Sequence, residues 1–142
     1  MNILKVLTER RKTGNLGEDA AAKLLKKHGY KILARNYEAV DSEIDIIAEN
    51  KSTTVFVEVK TRTLGHESPK EPRPASSVTP DKQRKIITAA KYFLGTHRTG
   101  KRVRFDIIEV YVDEKKKVQK ILHLESAFNY NTAHPPRYGY YG

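Results

Sequence analysis

Apolar positions recur along the chain first at helical spacing and then in alternation. Leu16, Ala20 and Leu24 fall at i, i+4 and i+8, and Ala21 and Leu25 widen the stripe. This predicts an amphipathic helix capped by Thr13 or Asn15, running to about His28 and stopped by Gly29. Glu18 lies toward the Leu25 edge of the apolar face, so it can look toward whatever the helix packs on. Three extended segments follow. Residues 30–37 are rich in strand formers, and residues 43–49 alternate, with Ile44, Ile46 and Ala48 on one face and Glu43, Asp45 and Ile47 on the other. Residues 53–62 place Val55, Val57 and Val59 opposite Phe56, Glu58 and Lys60, with Asn50, Lys51 and Ser52 as a short hairpin turn between the two strands.

Residues 64–77 hold prolines at 69, 72 and 74 together with Gly65, which predicts a mobile loop long enough to be functional. Thr79 followed by Pro80, with Asp81 in the first turn, starts a second helix. Its apolar stripe is Ile86, Ala90, Phe93 and Leu94, and Gly95 or Gly100 closes it. Residues 102–112 and 118–124 form a fourth and a fifth strand joined by the charged turn 113–117. The tail from 129 is rich in Tyr, Gly and Pro without a period and is expected to be flexible. The expected organisation is an N-terminal extension (1–13), one domain (14–128) and a C-terminal tail (129–142). The fold class is α/β, with a mixed, largely antiparallel central sheet flanked by helices.

Composition narrows the chemistry. The 142 residues include no cysteine, which excludes disulfides, thiolate zinc sites, iron–sulfur clusters and thiol nucleophiles. This suits a reducing cytosol, and a cytoplasmic location is expected. No apolar run approaches the roughly 20 residues needed to cross a bilayer, and no membrane partner is expected. A formal net charge of +10 favours a polyanionic partner, nucleic acid above all.

The most informative feature is where polar groups interrupt apolar strands. Glu58 and Lys60 break the run Val55-Phe56-Val57-Glu58-Val59-Lys60 and, being two apart, share a face of the sheet. Asp45 interrupts Ile44-Asp45-Ile46-Ile47 on the neighbouring strand of the hairpin. If the register brings Asp45 to Glu58, two partly buried carboxylates repel each other unless a cation is present. Hard oxygen ligands with no cysteine favour Mg2+ or Mn2+, and an adjacent lysine can orient a water and offset charge on a phosphodiester. A buried Glu58–Lys60 ion pair, or a strand face that is simply wet, is the competing reading.

Gly17-Glu18, Glu43-Ile44-Asp45 and Val57-Glu58-Val59-Lys60-Thr61-Arg62, in that order, resemble the PD-(D/E)xK, restriction-endonuclease-like superfamily, and more narrowly the YraN-like family, related in fold to Holliday junction resolvases. The pattern continues in Val78-Thr79-Pro80 with Lys82-Gln83-Arg84, in Arg104-Phe105-Asp106 and in Ala127-Phe128, so it covers residues 14–128. The resemblance implies that Asp45, Glu58 and the backbone carbonyl of Val59 bind the metal. It gives Lys60 the attacking water, and makes Glu18 a second-metal or water-mediated ligand. Glu43 matches a family position of less defined role. Lys82 and Gln83 would approach phosphate from the second helix, with Arg62 and Arg84 in the same motifs as further nucleic-acid contacts. Ser42 departs from the family's usual glycine, which implies a local change of turn.

Two functions follow from these residues. The first is a Mg2+- or Mn2+-dependent endonuclease hydrolysing DNA, with branched or single-stranded forms as substrates. The second is a non-catalytic nucleic-acid-binding or scaffolding protein on the same fold, since fold does not establish activity. A homodimer or a protein partner is compatible with either.

Overall fold

The computed structural model describes residues 3–64 and 78–136; the side chains of 5–14 lie outside the description. The elements run α1 (Ile3–Lys27), β1 (Lys31–Ala39), β2 (Ser42–Glu49), β3 (Thr53–Thr63), α2 (Pro80–Thr96), β4 (Arg102–Val112), β5 (Val118–Phe128) and α3 (Tyr130–Ala133). The strands form one five-stranded mixed sheet in the order β1-β2-β3-β4-β5. Among the described residues only β3 and β4 are parallel, and α2 lies in the crossover between them.

Each helix covers one face. On the α1 side, Ala21, Ala22 and Leu25 pack with Ile46, Ala48, Val55, Val57, Ile108 and Val110. On the α2 side, Ile86, Ile87 and Ala90 pack with Ile44, Ile47, Phe56 and Ile107. Strands buried on both faces explain the near-continuous apolar runs of β3 and β4.

Local chemistry sets the ends of the elements. Tyr30 N–H bonds to Leu25 C=O at 2.9 Å and Gly29 N–H to Lys26 C=O at 3.1 Å, while Gly29 takes φ +90°. This is a Schellman closure, and the buried Tyr30–Leu25 pair seals it. Thr79 caps α2 by accepting from Lys82 N–H at 3.2 Å, with Pro80 opening the helix.

The structure departs from expectation in four places. First, α1 begins at Ile3 and runs without interruption through the expected start at Thr13–Asn15. Second, β5 continues to Phe128. Third, the tail does not loosen at Asn129, because Asn129 and Thr132 form a capping box that opens the short helix α3. Thr132 then donates to the Gln83 side chain at 2.7 Å, and Ala133 is buried against α2. Fourth, alternation in β2 breaks at Asp45: Ile46 and Ala48 face α1 as a pair, but Ile44 joins Ile47 on the α2 side. The loop 65–77 and the end of the tail, 137–142, lie outside the described residues.

Candidate metal centre

The break in β2 has a backbone cause that places Asp45. The β2–β3 ladder ends at Ile46↔Val57, so from Asp45 outward β2 has no strand partner on that side to hold its pleat. The Asp45 carboxylate takes the place of a ladder carbonyl, and Val59 N–H donates to its Oδ2 at 2.7 Å. N–H and C=O of one strand residue point the same way, so the Val59 carbonyl also faces this gap, beyond the last β2–β3 pair.

Glu58, one residue before, is buried, with its Oε1 3.7 Å from Lys60 Nζ. Burial first, and then the charge of Asp45, push the Glu58 carboxyl up to about 7; Lys82 and Lys60 pull against that rise. Asp45 is also raised. Burial is the main cause, the Val59 hydrogen bond opposes it, Glu43 adds to it, and Lys82 and Lys60 offset part of it. The Asp45 carboxylate therefore lies at the backbone of Val59, one residue from Glu58, and its charge acts on Glu58.

α1 brings a third carboxylate. Gly17 makes this possible: a Cβ there would lie 1.8 Å from Thr61 Oγ1, so only glycine lets α1 sit this close to β3. The next residue, Glu18, has its pKa raised by burial and then by Asp45, with Arg35 opposing. Arg35 Nη2 is 3.8 Å from Glu18 Oε1 and 2.8 Å from Asp19 Oδ1. Asn36, at φ +52°, with its amide turned to donate, reaches Glu18 Oε1 and Glu43 Oε1 at 3.0 Å each. It ties two acidic side chains together, and nothing in its strand-like surroundings marks it for that.

The basic candidates divide. Lys82, in the first turn of α2, lowers the pKa of both Asp45 and Glu58 and so faces the centre. Gln83, expected to reach phosphate, turns inward instead: its Nε2 donates to Val78 C=O at 2.9 Å and its Oε1 accepts from Thr132. Arg84 Nη1 donates to Ala133 C=O at 2.7 Å, docking α3. Arg62 extends past Lys60 on the same face of β3 and reaches Glu109 on β4. The Glu109 interruption of Ile107-Ile108-Glu109-Val110 is a signal of the same kind as Glu58, and the sequence reading passed over it.

The donor set suits a hard divalent cation: the buried Glu58 and the half-buried Asp45, both with raised pKa values, a backbone carbonyl turned to the same gap, and no sulfur. Among the described residues no three Asp, Glu or His side chains are grouped to hold a metal. Asp45, Glu58 and the Val59 carbonyl would hold it.

A second buried charge cluster serves architecture. Asp106 accepts two bonds from Arg104, at 2.9 and 2.8 Å, lies 2.7 Å from His123 Nε2 and accepts Ser126 N–H at 3.0 Å. Burial alone would raise its pKa, but these bonds outweigh burial and hold it below the usual carboxylate range. Arg104 also donates to Tyr30 Oη at 2.7 Å, so the Arg104-Phe105-Asp106 motif locks β4, β5 and the end of α1 together.

No helix among the described residues is long and apolar enough to cross a membrane. Residues 17–110 match the model of the uncharacterised protein family UPF0102. A UPF0102 protein of Desulfosudis oleivorans is 49% identical over 106 residues, spanning 74% of this chain and 83% of that protein. One from Caldicellulosiruptor saccharolyticus is 42% identical over 120 residues, 84% and 98% of the two chains. Among solved structures, that of Pyrococcus furiosus SfsA in complex with Ca2+ matches at a TM-score of 0.36 and 16% identity, over 79% of this chain and 63% of that one. With the family model spanning most of the chain and these relatives aligned over 83% and 98% of their length, this protein belongs to the UPF0102 family.

Proposed function

We propose that this protein is a metal-dependent DNA endonuclease of the restriction-endonuclease-like type. The observation that carries the reading is the Asp45 carboxylate hydrogen-bonded to the Val59 backbone at the gap where β2 leaves β3, beside the buried Glu58, with Lys60 3.7 Å from Glu58. Two carboxylates with raised pKa values form an unfavourable pair that a divalent cation relieves. When bound, Mg2+ or Mn2+ would supply positive charge against the phosphodiester and lower the pKa of a water.

The chain's own residues divide the remaining work. Asp45, Glu58 and the Val59 carbonyl would hold the ion. The Lys60 ammonium would orient the attacking water and meet the charge that builds on phosphate as the new P–O bond forms and the ester P–O bond breaks. Glu18, held by Asn36 and Arg35, sits on the α1 side as a water-mediated ligand or a ligand to a second ion. Lys82 and Arg62 flank the centre as phosphate contacts, and the net charge of +10 favours encounter with DNA.

The test is a cleavage panel of duplex, single-strand, flap and four-way-junction DNA with Mg2+ or Mn2+. Cleavage of at least one form is expected, and Asp45→Ala, Glu58→Ala and Lys60→Ala should each abolish it while DNA binding survives. Failure to cut any form in either metal overturns the enzyme reading.

Non-catalytic DNA binding is favoured by one observation, the lack of three grouped metal-binding side chains among the described residues. Calorimetry with Mg2+ separates the two. Heat that disappears in Asp45→Ala supports the metal centre, and the absence of heat supports binding alone.

A further inference from the structure

Glu109 is fully buried on β4, and no part of the centre described above uses it. In the parallel β3–β4 ladder Lys60 pairs with Glu109 and Arg62 with Tyr111, so Glu58, Lys60 and Arg62 share the α2-side face with Ile107, Glu109 and Tyr111. Tyr111 Oη donates to Glu109 Oε2 at 2.5 Å, and Arg62 Nε lies 3.6 Å from the same oxygen. Among the described residues, Glu109 Oε1 has no hydrogen-bond partner. A buried carboxylate with one oxygen unsatisfied is costly, and an unbroken run of ladder pairs from Thr53↔Arg102 to Thr63↔Val112 already joins β3 to β4. Strand pairing therefore does not require it.

Arg62 is what the arrangement serves. Its side chain is 44% exposed, its Nε lies 3.6 Å from Glu109 Oε2, and Tyr111 stands beside it. Guanidinium carries five N–H donors in a rigid fork, more than these two partners need, so an exposed arm keeps donors for a phosphate. A long side chain left free would surrender rotamer entropy on binding; one already steered at its Nε edge surrenders less.

We propose that Glu109, with Tyr111, is a positioning residue that holds Arg62 beside Lys60 as a phosphate-contacting arm of the centre. The inference rests on the DNA-binding part of the proposed function. It assigns Glu109 no contact with the reacting atoms.

Binding of a short fluorescent duplex, followed by anisotropy in EDTA across a salt series, tests it without cleavage. Arg62→Ala should weaken binding about fivefold and flatten the slope of log affinity against log salt by about one. Glu109→Gln and Tyr111→Phe should weaken binding in the same direction. The Arg62→Ala/Glu109→Gln double variant should bind no worse than Arg62→Ala alone, because both remove one contact.

If Glu109 is only structural, its variant will melt earlier but bind with the wild-type slope, or its loss will add fully to that of Arg62→Ala; either result overturns the inference. Should Glu109→Gln fail to fold, Tyr111→Phe decides through the same cycle. Wild-type binding with Arg62→Ala indistinguishable from it sinks the inference and leaves the nuclease reading standing. A wild-type protein that binds no DNA removes both.

Discussion

Replacing Glu58 with glutamine keeps the side-chain shape and removes a charge that the folded protein accommodates poorly. Burial and the neighbouring Asp45 move this carboxyl from 4.5 to about 7 on folding, a difference worth about 3 kcal/mol. Because the folded value is the higher one, the folded state binds the extra proton. The associated stability is fully present below pH 4.5 and lost as pH rises through about 7. Glutamine mimics the protonated form at every pH. The value of about 7 already includes the opposing pull of Lys60 and Lys82, so their loss needs no separate allowance. In metal-free buffer, Glu58→Gln should therefore match the wild type near pH 4.5 and exceed it by about 3 kcal/mol near pH 8.5. For a domain of this size that is a rise in Tm of about 6–15 °C. Urea melts followed by circular dichroism in EDTA, at several pH values, give the comparison. Mg2+ at about 1,000 times its Kd should then reverse the order, because it adds about 4 kcal/mol to the wild type alone. Parallel stability–pH curves for the two proteins, or a glutamine variant less stable at high pH, would refute the electrostatic account of the centre.

Other substitutions probe the supporting structure. Gly17→Ala should destabilise by about 1–3 kcal/mol despite alanine's better helix propensity, since its Cβ would meet Thr61 Oγ1; thermal melts should show partial rescue by Thr61→Ala. Val40 turns the β1–β2 hairpin at φ +59°, a conformation that strains a β-branched residue, so Val40→Asn should raise stability by about 1 kcal/mol in a urea melt. Asp106→Asn leaves Arg104 without its buried counter-charge and should cost about 3–5 kcal/mol at neutral pH. With its folded pKa lowered, Asp106 adds stability above its unfolded value of 3.8, and the deficit of the variant should shrink as acid protonates it. Lys82→Ala should raise the apparent carboxyl pKa values of Asp45 and Glu58, read by NMR titration of side-chain carboxyl carbons; unchanged values would place Lys82 away from the centre.

What could be read from the chain alone was whatever depends on neighbours in sequence. The α2 cap at Thr79-Pro80, the Gly29 stop, the extent of β4 and the shared face of Glu58 and Lys60 follow from local dihedral preference and from the two-residue period of a strand. The acidic and basic groups worth watching were legible for the same reason, as polar interruptions of apolar runs. Glu109 carried that signal too and was missed beside the stronger E-x-K pattern.

Tertiary structure decided what depends on who stands opposite. The Asp45 carboxylate reaches the Val59 backbone because the β2–β3 ladder ends at Ile46↔Val57, and a one-residue difference in that ladder would have sent the carboxylate elsewhere. Glu18 comes under the charge of Asp45 because Gly17 lets a helix remote in sequence rest on Thr61. Gln83 leaves the site because Thr132, 49 residues further along, claims its amide. Period and propensity are short-range properties, so they place side chains on faces of elements. The distance between two such faces is set by packing, and it is packing that brings the Asp45 carboxylate to the Val59 backbone, between Glu58 and Lys60.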